Sequence, residues 1–527
     1  MVLARPALAI HRRAFLRSSL ATLGSSALLS CERAPGLGEG GPLRVAAGID
    51  RYNTSIGRFT FTTSHPNVHI AEPAVKPDDA FRAQPWLFEQ WSYEGSGRYV
   101  ARLRNGVRFH DGSLLDADAF IASAKRFVAT RDFVGLDPES LRRIDDGTVA
   151  FESLTGSAAM VKSMTHPAVS LLLANGQEST TPVGTGPYKL VRYEPRREIE
   201  VERFDDYWGP KPAIERVVFR FVADSQARLT ALLGGEVDVI SDVTPEMFLG
   251  LDPDEPSVVV RKSRPMRYIA MFCNRRGEPP YDKMSDVRVR RAVAMAIDRA
   301  AIAKVMYGGH ARPSRGILPD WMFGLGDETP RGFELDREKA ASLLDEAGWR
   351  LDANGVREKD GTPFDLRIVS AYPNASSVKP IPEMLEQMLR LIGARTEIIE
   401  VEDSQLYYTG YADRGLGDLF LEMGGNAVAD PTFLLYNTYH SSSPWPSYRR
   451  SAPGEDVDEL LEAAREEPDA EAIVGLVREA HRRIVDEHVA SIPILMVPVF
   501  LFTKPNIVLE PFESLDWVNF GAAQQTA

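Results

Sequence analysis

Short apolar runs alternate with helix-period segments along most of this chain, and that alternation limits its folding more than any other feature. Residues 43–47, 217–222, 237–240, 268–272, 364–369 and 396–401 are runs suited to buried strands. Between them lie segments of helical spacing with their own start and stop signals. Asp224 is placed to cap a helix that buries Leu229, Leu232 and Leu233 and ends at Gly234-Gly235. Asp336 is placed to cap one with Ala340, Leu343, Leu344 and Ala347 inward, stopped by Gly348. Val289, Val293, Ala296, Ile297 and Ala300 keep one helical run as far as Gly308-Gly309, and residues 381–391 form another ended by Gly393. Ile473, Val477, Ala480 and Ile484 line one face of a late helix, and residues 494–502 are apolar enough for a single central strand. Strand, helix and strand in that order define an α/β class. No repeat of solenoid period occurs.

At 527 residues the chain exceeds one ordinary core, so two or three domains are expected. The segments divide into two α/β halves of similar size, with a last strand able to rejoin the first. A chain that crosses between halves more than once has a hinge, and a cleft at a hinge is where small solutes bind. An insertion in the first half reads as its own sheet. Residues 98–104 alternate wet and dry, Asn105-Gly106 and Asp111-Gly112 turn the chain, residues 116–128 read as a helix, and residues 148–153 return as a strand.

The first thirty residues are an address. Arg12-Arg13 opens a basic start, followed by a short apolar stretch and small residues that lead to Cys31. This is the pattern of a signal peptide, and the adjacent arginines with Phe15-Leu16 resemble a twin-arginine export signal. Leu28-Leu29-Ser30-Cys31 resembles a lipoprotein processing box, which makes Cys31 the expected lipid attachment site. An ordinary signal cleaved nearby, with Cys31 incidental, is the other reading. Residues 31–41 would then be a flexible tether. The only other cysteine, Cys273, has no partner left and is expected to be an inert core residue. The net charge is -13, although residues 1–30 hold four arginines and no acid. So acidic a surface repels phosphate backbones, and nucleic acid is not an expected partner.

Catalytic signatures are missing. There is no Gly-x-Ser-x-Gly elbow, no His-Glu-x-x-His and no phosphate loop, and no cofactor is expected. Gly36 to Gly41 matches a dinucleotide fingerprint but lacks the strand and helix around it. His481 and His488, on one helix face, and His65 with His69 are the only histidine pairs at ligand-like spacing. Neither makes a concentrated cluster, so no metal site is assigned.

Several motifs in order carry a resemblance. They are Pro85-Trp86-Leu87 with Trp91, Arg102 through Gly112, Val183-Gly184-Thr185-Gly186-Pro187-Tyr188 and Asp206-Tyr207-Trp208-Gly209. Leu232 through Asp238, Val287 through Asp298 and Leu343 through Trp349 follow. In this order, behind a lipoprotein-like signal, they resemble the solute-binding proteins of peptide- and nickel-type ABC importers, from about Leu43 to beyond Pro511. The resemblance implies a two-lobed periplasmic binding protein of type II, large peptide-binder subclass, with an extra subdomain in the first lobe. It implies lobe I at residues 42–75, 180–264 and 490–522, the subdomain at 76–179 and lobe II at 265–489. Its partners would be a peptide or small-molecule ligand, an ABC permease and ATPase complex, and the membrane through a lipid anchor, with the protein itself a monomer. A surface receptor that senses a peptide-like signal without transport is the second reading, and a nickel or metal-chelate binder the third. As individual residues, the motifs read as scaffold: glycines for turns and close backbone passage, Trp208 and Trp349 as packing anchors.

Family members that bind peptides hold the free ends by charge. The arginine position falls here at Ala371, and the aspartate position at Asn426 or Ala427. With both clamps missing, the expected ligand is not a simple free-ended dipeptide; an amide at Asn426 suits a modified peptide, opine or short saccharide. Alternatively, Lys379, Arg395 or Asp403 takes over a clamp. Candidate ligand contacts are Tyr52, Asn53, Tyr372, Asn374, Tyr408, Asn426 and Trp445, with Tyr407 beside them, because rings cover sugar or side-chain faces without demanding one chemistry.

Overall fold

The computed structural model describes residues 41–48, 69–128, 135–154, 158–166, 169–173, 182–252, 254–326, 330–371, 380–401, 403, 405–426, 428–509 and 523–525. The signal segment, Cys31, the tether and His65 lie outside these residues.

Two large sheets organise the described chain. The seven-stranded sheet runs Val259–Lys262, Phe500–Thr503, Val239–Ile240, Leu43–Ala47, Arg216–Phe221, Glu198–Arg203, Tyr188–Glu194. Leu43–Ala47 lies parallel to both neighbours, with Val45 opposite Phe219 on one side and Val239 on the other. The six-stranded sheet runs Arg312–Pro313, Ser491–Val497, Arg267–Cys273, Leu419–Gly425, Asp365–Ala371, Arg395–Val401. Successive side chains of a strand point to opposite faces. Thus Ile269, Met271 and Cys273 enter one core with Val289, Val293 and Leu344, while Tyr268, Ala270 and Phe272 enter another with Leu435, Val457 and Val477. Cys273 is fully buried, and burial pushes its thiol up to about 12, so it is unreactive at neutral pH.

A four-stranded sheet of Phe88–Tyr93, Arg98–Leu103, Thr148–Glu152 and Arg142–Asp145 packs beneath the helix Ala117–Val128 around Phe88, Phe120 and Phe151. The alternation read from sequence is what buries Tyr99, Ala101 and Leu103 while Arg98 and Arg102 stay wet.

The local signals place most elements where expected. Asp224 accepts from the Ala227 amide at 2.6 Å, and Asp336 from the Lys339 amide at 2.8 Å. Three expectations need correction. Leu233 is exposed, because it lies off the face that Leu229 and Leu232 share. The run from Val289 to Tyr307 is two helices, Val287–Ala296 and Arg299–Tyr307, because Asp298 leaves helical geometry and caps the second at the Ala301 amide, 2.9 Å away. The run 494–502 is also two strands, Ser491–Val497 and Phe500–Thr503, one in each large sheet. Pro498 has no amide hydrogen to give a central ladder, so pairing stops there. The chain therefore returns to the first sheet at Pro498-Val499, later than residue 490.

That break makes the connection between the two sheets. The outward crossing lies between Lys262 and Arg267, and the return runs beside it. The Ser263 amide donates to the Val499 carbonyl at 3.0 Å, the Val499 amide to Ser263 Oγ at 3.0 Å, and the Met266 amide to the Val497 carbonyl at 3.2 Å.

Three of the motifs that carry the resemblance meet at one residue to which the sequence assigns no role, Glu72. Its buried carboxylate accepts from Trp86 Nε1 at 2.8 Å, Tyr207 Oη at 2.7 Å, Trp208 Nε1 at 3.0 Å and Thr185 Oγ1 at 3.2 Å. Burial raises its pKa, while Lys76 and these donors favour the charged form. Gly184 and Gly186 pass so close to this segment that an added Cβ would lie 2.0 Å from the Ile70 carbonyl and 2.1 Å from that of His69. His110 Nε2 lies 2.9 Å from the Gly186 carbonyl oxygen, and burial lowers its pKa to about 4, so the ring is neutral. Replacing Glu72 with alanine strips several buried donors of their acceptor. The expected loss is about 3 kcal/mol in urea unfolding at neutral pH; a loss under about 1 kcal/mol would show that these donors find water instead.

Candidate functional site

The second sheet meets the inserted subdomain at the loop that follows the strand Leu419–Gly425. There the Ala429 amide donates to Thr165 Oγ1 at 2.7 Å, and Lys162 lies close enough to favour the charged form of buried Asp430. Phe81, beside the strand Val75–Pro77, inserts into the second lobe's core, with ring centroids 6.2 Å from Trp321 and 6.0 Å from Phe323. The Phe323 amide donates to the Ala80 carbonyl at 3.0 Å. The lobes touch there, and also where Phe248 of the first lobe packs on Tyr307 and His310 of the second, with ring centroids 6.3 and 5.5 Å apart.

Of the candidate ligand residues, Tyr52, Asn53, Tyr372 and Asn374 lie outside the described residues, as do Ala427 and Lys379. Tyr408 and Trp445 come together, with ring centroids 4.9 Å apart at 48°. A turn of π-helix over Leu406–Ala412 presents Tyr408, and Trp445 caps the helix Pro446–Ser451. Both are half-buried. Asn426 is fully buried, and its Nδ2 donates to the carbonyls of Val428 at 2.8 Å and Asp430 at 3.4 Å. Its donor group thus shapes the loop, while its Oδ1 has no partner among the described residues. Asp430 caps the helix Pro431–Tyr439 through the Thr432 amide at 2.9 Å. Of the alternative clamps, Arg395 is engaged by Asp365 at 2.5 Å, and Asp403 accepts from the Leu406 amide at 2.6 Å.

Beside this pair lies a group that sequence reasoning passed over. Glu422, on the same strand as Gly424 and Gly425, is 7% exposed and accepts from Tyr407 Oη at 2.9 Å. The hydroxyls of Ser447, Tyr448 and Tyr408 also favour its charged form, while burial raises its pKa. No motif marks Glu422. Its only sequence signal is an acid inside an otherwise apolar strand.

The histidine pair dissolves. His481 is fully buried and accepts from the Ile317 amide at Nε2, 3.2 Å away; burial lowers its pKa to about 3. His488 follows a π-turn over Arg483–Glu487 and meets Asp456 at 2.9 Å. Each has its own partner, because the extra residue of the π-turn shifts the face on which His488 emerges. Among the described residues, no group of three or more His, Cys, Asp or Glu side chains is arranged to hold a metal. No helix of the described residues is long and apolar enough to cross a membrane.

Two α/β lobes, each on its own large sheet and joined by segments that cross side by side, define a two-lobed solute-binding protein. The chain belongs to the bacterial extracellular solute-binding proteins, family 5, whose model matches residues 82–445. It is 27% identical over 487 residues to di/tripeptide-binding protein 2 of Pseudomonas aeruginosa, across 85% of this chain and 87% of that one. It is 24% identical over 469 residues to the nickel-binding periplasmic protein of Escherichia coli, across 84% and 86%. The crystal structure of NikA from Brucella suis in complex with Fe(III)-EDTA superposes with a TM-score of 0.81 at 21% identity, over 92% of this chain and 100% of the other. That likeness is one of fold.

His481 also sets an acid limit. Its folded pKa lies below the ordinary 6.5, so its contribution to stability is complete above that pH and is lost as pH falls toward 3. Between pH 7 and pH 5 the native protein should lose about 2 kcal/mol more unfolding free energy than the His481→Gln variant. Equal losses in the two proteins would show that His481 protonates without cost.

Proposed function

We propose that this chain is the binding component of an ABC importer, which captures a peptide-like or other small polar solute by closing its lobes and does no chemistry on it. On this reading the protein is exported by the signal in residues 1–30, is held to the outer face of the cytoplasmic membrane by lipid on Cys31, works as a monomer and delivers its solute to a permease and ATPase complex. The observation that carries the binding reading is the pair of hydrogen-bonded crossing segments at Ser263 and Val499, which join two lobes each built on its own large sheet. The relatives named for di- and tripeptides and for nickel support a small solute and leave its chemistry open.

The energetics suit a switch. A ligand closes such a protein only to the extent that it binds the closed form better than the open one. Moving the balance from 1:99 to 99:1 takes about 5.5 kcal/mol. A micromolar site supplies about 8.2 kcal/mol in total, which is enough for closure and still permits release. Ala371 and the buried, loop-bound Asn426 offer no charged clamp for the two ends of a plain dipeptide.

A thermal-shift screen over peptides, opines, sugars and metal chelates, followed by small-angle scattering on each hit, tests this reading. The expected result is a stabilising solute that also reduces the radius of gyration. Steady conversion of a hit to product, or binding of every hit with no compaction, contradicts it.

A further inference from the structure

Two bulky residues at the boundary between the lobes hold a backbone conformation that ordinarily belongs to glycine. Phe81 has φ +62° and Phe323 has φ +57°. A left-handed conformation crowds a large side chain against its own backbone, so it persists only where the surroundings offset it. Phe81 lies in the turn between the paired strands Val75–Pro77 and Ala83–Pro85, which lead into the inserted subdomain. Asp78 fixes that turn. Its Oδ1 accepts from the Ala80 amide at 2.9 Å and the Arg82 amide at 2.8 Å, and its Oδ2 from Arg82 Nε at 3.0 Å. Glycine would meet the needs of this turn without strain. Phenylalanine gains instead by placing its ring, 2% exposed, in the second lobe's core.

The receiving side is built around that ring. Phe323, itself left-handed, stands edge-on to Phe81 and gives its amide to the Ala80 carbonyl. Arg264, on the outward crossing, donates from Nη1 to the Asp79 carbonyl at 2.7 Å and lies 5.2 Å over the Trp321 ring. Trp321 Nε1 in turn donates to the Pro265 carbonyl at 2.9 Å. A turn of one lobe is thus seated between the crossing segment and residues 321–323 of the other.

A second contact, at residues 428–430, comes from the same subdomain. Thr165 Oγ1 donates to the Lys162 carbonyl at 2.6 Å, which leaves a lone pair for the Ala429 amide, and Thr165 and Ala429 are both buried. Lys162 also reaches across the boundary to buried Asp430 by charge. An amide and a carboxylate enclosed in this way lose their water on closure and regain bonds only from the opposite lobe.

We infer that the inserted subdomain carries a clasp, made by Phe81 in the second lobe's core and by Thr165 on the Ala429 amide, that favours the closed arrangement of the lobes independently of solute. The inference rests on the reading that the lobes open and close, and gives the subdomain its part in that motion. The empty protein then visits the closed arrangement, and a solute supplies only the remainder of the free energy of closure. The left-handed backbone of Phe81 keeps the clasp reversible, because the strain relaxes once the ring leaves the second lobe.

Small-angle scattering on the full chain without solute tests the clasp through two variants. Phe81→Gly suits the left-handed turn and removes the ring. Thr165→Val keeps the shape and removes the acceptor of the Ala429 amide. Each should raise the radius of gyration above the native value, and the double variant should raise it further. Melting temperature reports whether a variant folds; Phe81→Leu or Thr165→Ala takes the place of one that does not, with the same direction of change expected. A double variant as compact as the native protein overturns the clasp, and a solute that still compacts the native protein then leaves the binding reading intact. Failure of the binding reading shows itself differently: the variants expand, yet no solute in the wider screen of peptides, opines, sugars and chelates stabilises the chain.

Discussion

Everything two-lobed about this molecule depends on how the chain passes from one large sheet to the other. One passage leaves the first sheet after Lys262, the other comes back at Pro498-Val499, and amide hydrogen bonds hold the two together at Ser263 and Val499. Had residues 491–503 continued as one strand, the same seam would be rigid, because an unbroken ladder resists twisting. The missing amide hydrogen of Pro498 is the physical reason it does not. Away from that seam the lobes touch through Thr165 on the Ala429 amide, through Phe81 in the second lobe's core and through Phe248 against Tyr307 and His310.

Two buried carboxylates show how similar chemistry serves different ends. Glu72 collects indole, phenol and hydroxyl donors from segments far apart in sequence and fastens the first lobe to its inserted subdomain. Its acceptor capacity is filled by the protein. Glu422 is surrounded by phenols too, but these come from the second lobe's own core: burial raises its pKa, while the Tyr407 hydroxyl and its neighbours favour the charged form. A buried carboxylate whose donors all come from the scaffold reads as architecture.

How much was legible follows from the range of the forces involved. Strand alternation at residues 98–103, the Asp224 and Asp336 caps and the glycine stops are local, set by neighbours within a turn or two, and the sequence reading found them. The broken helix at Asp298 and the broken strand at Pro498 were missed because each flank was apolar enough to extend the pattern, while a cap in one case and an absent donor in the other decided it. At the site, Tyr408 and Trp445 were named as rings and do meet, but nothing in their spacing announced Glu422. His481 shares a predicted helix face with His488 and is buried, since helix periodicity says which residues share a face and not what packs against it.

By itself, the sequence determined the α/β class and the order of motifs that marks the family. Tertiary structure alone decided that distant motifs converge on Glu72, that Asn426 spends its amide on its own loop, and that four tyrosines from three segments lie around Glu422. Local propensity and patterning act along the chain and can be read in one dimension. Burial and charge compensation depend on which surfaces the fold brings together, and those appear only once the chain has closed on itself.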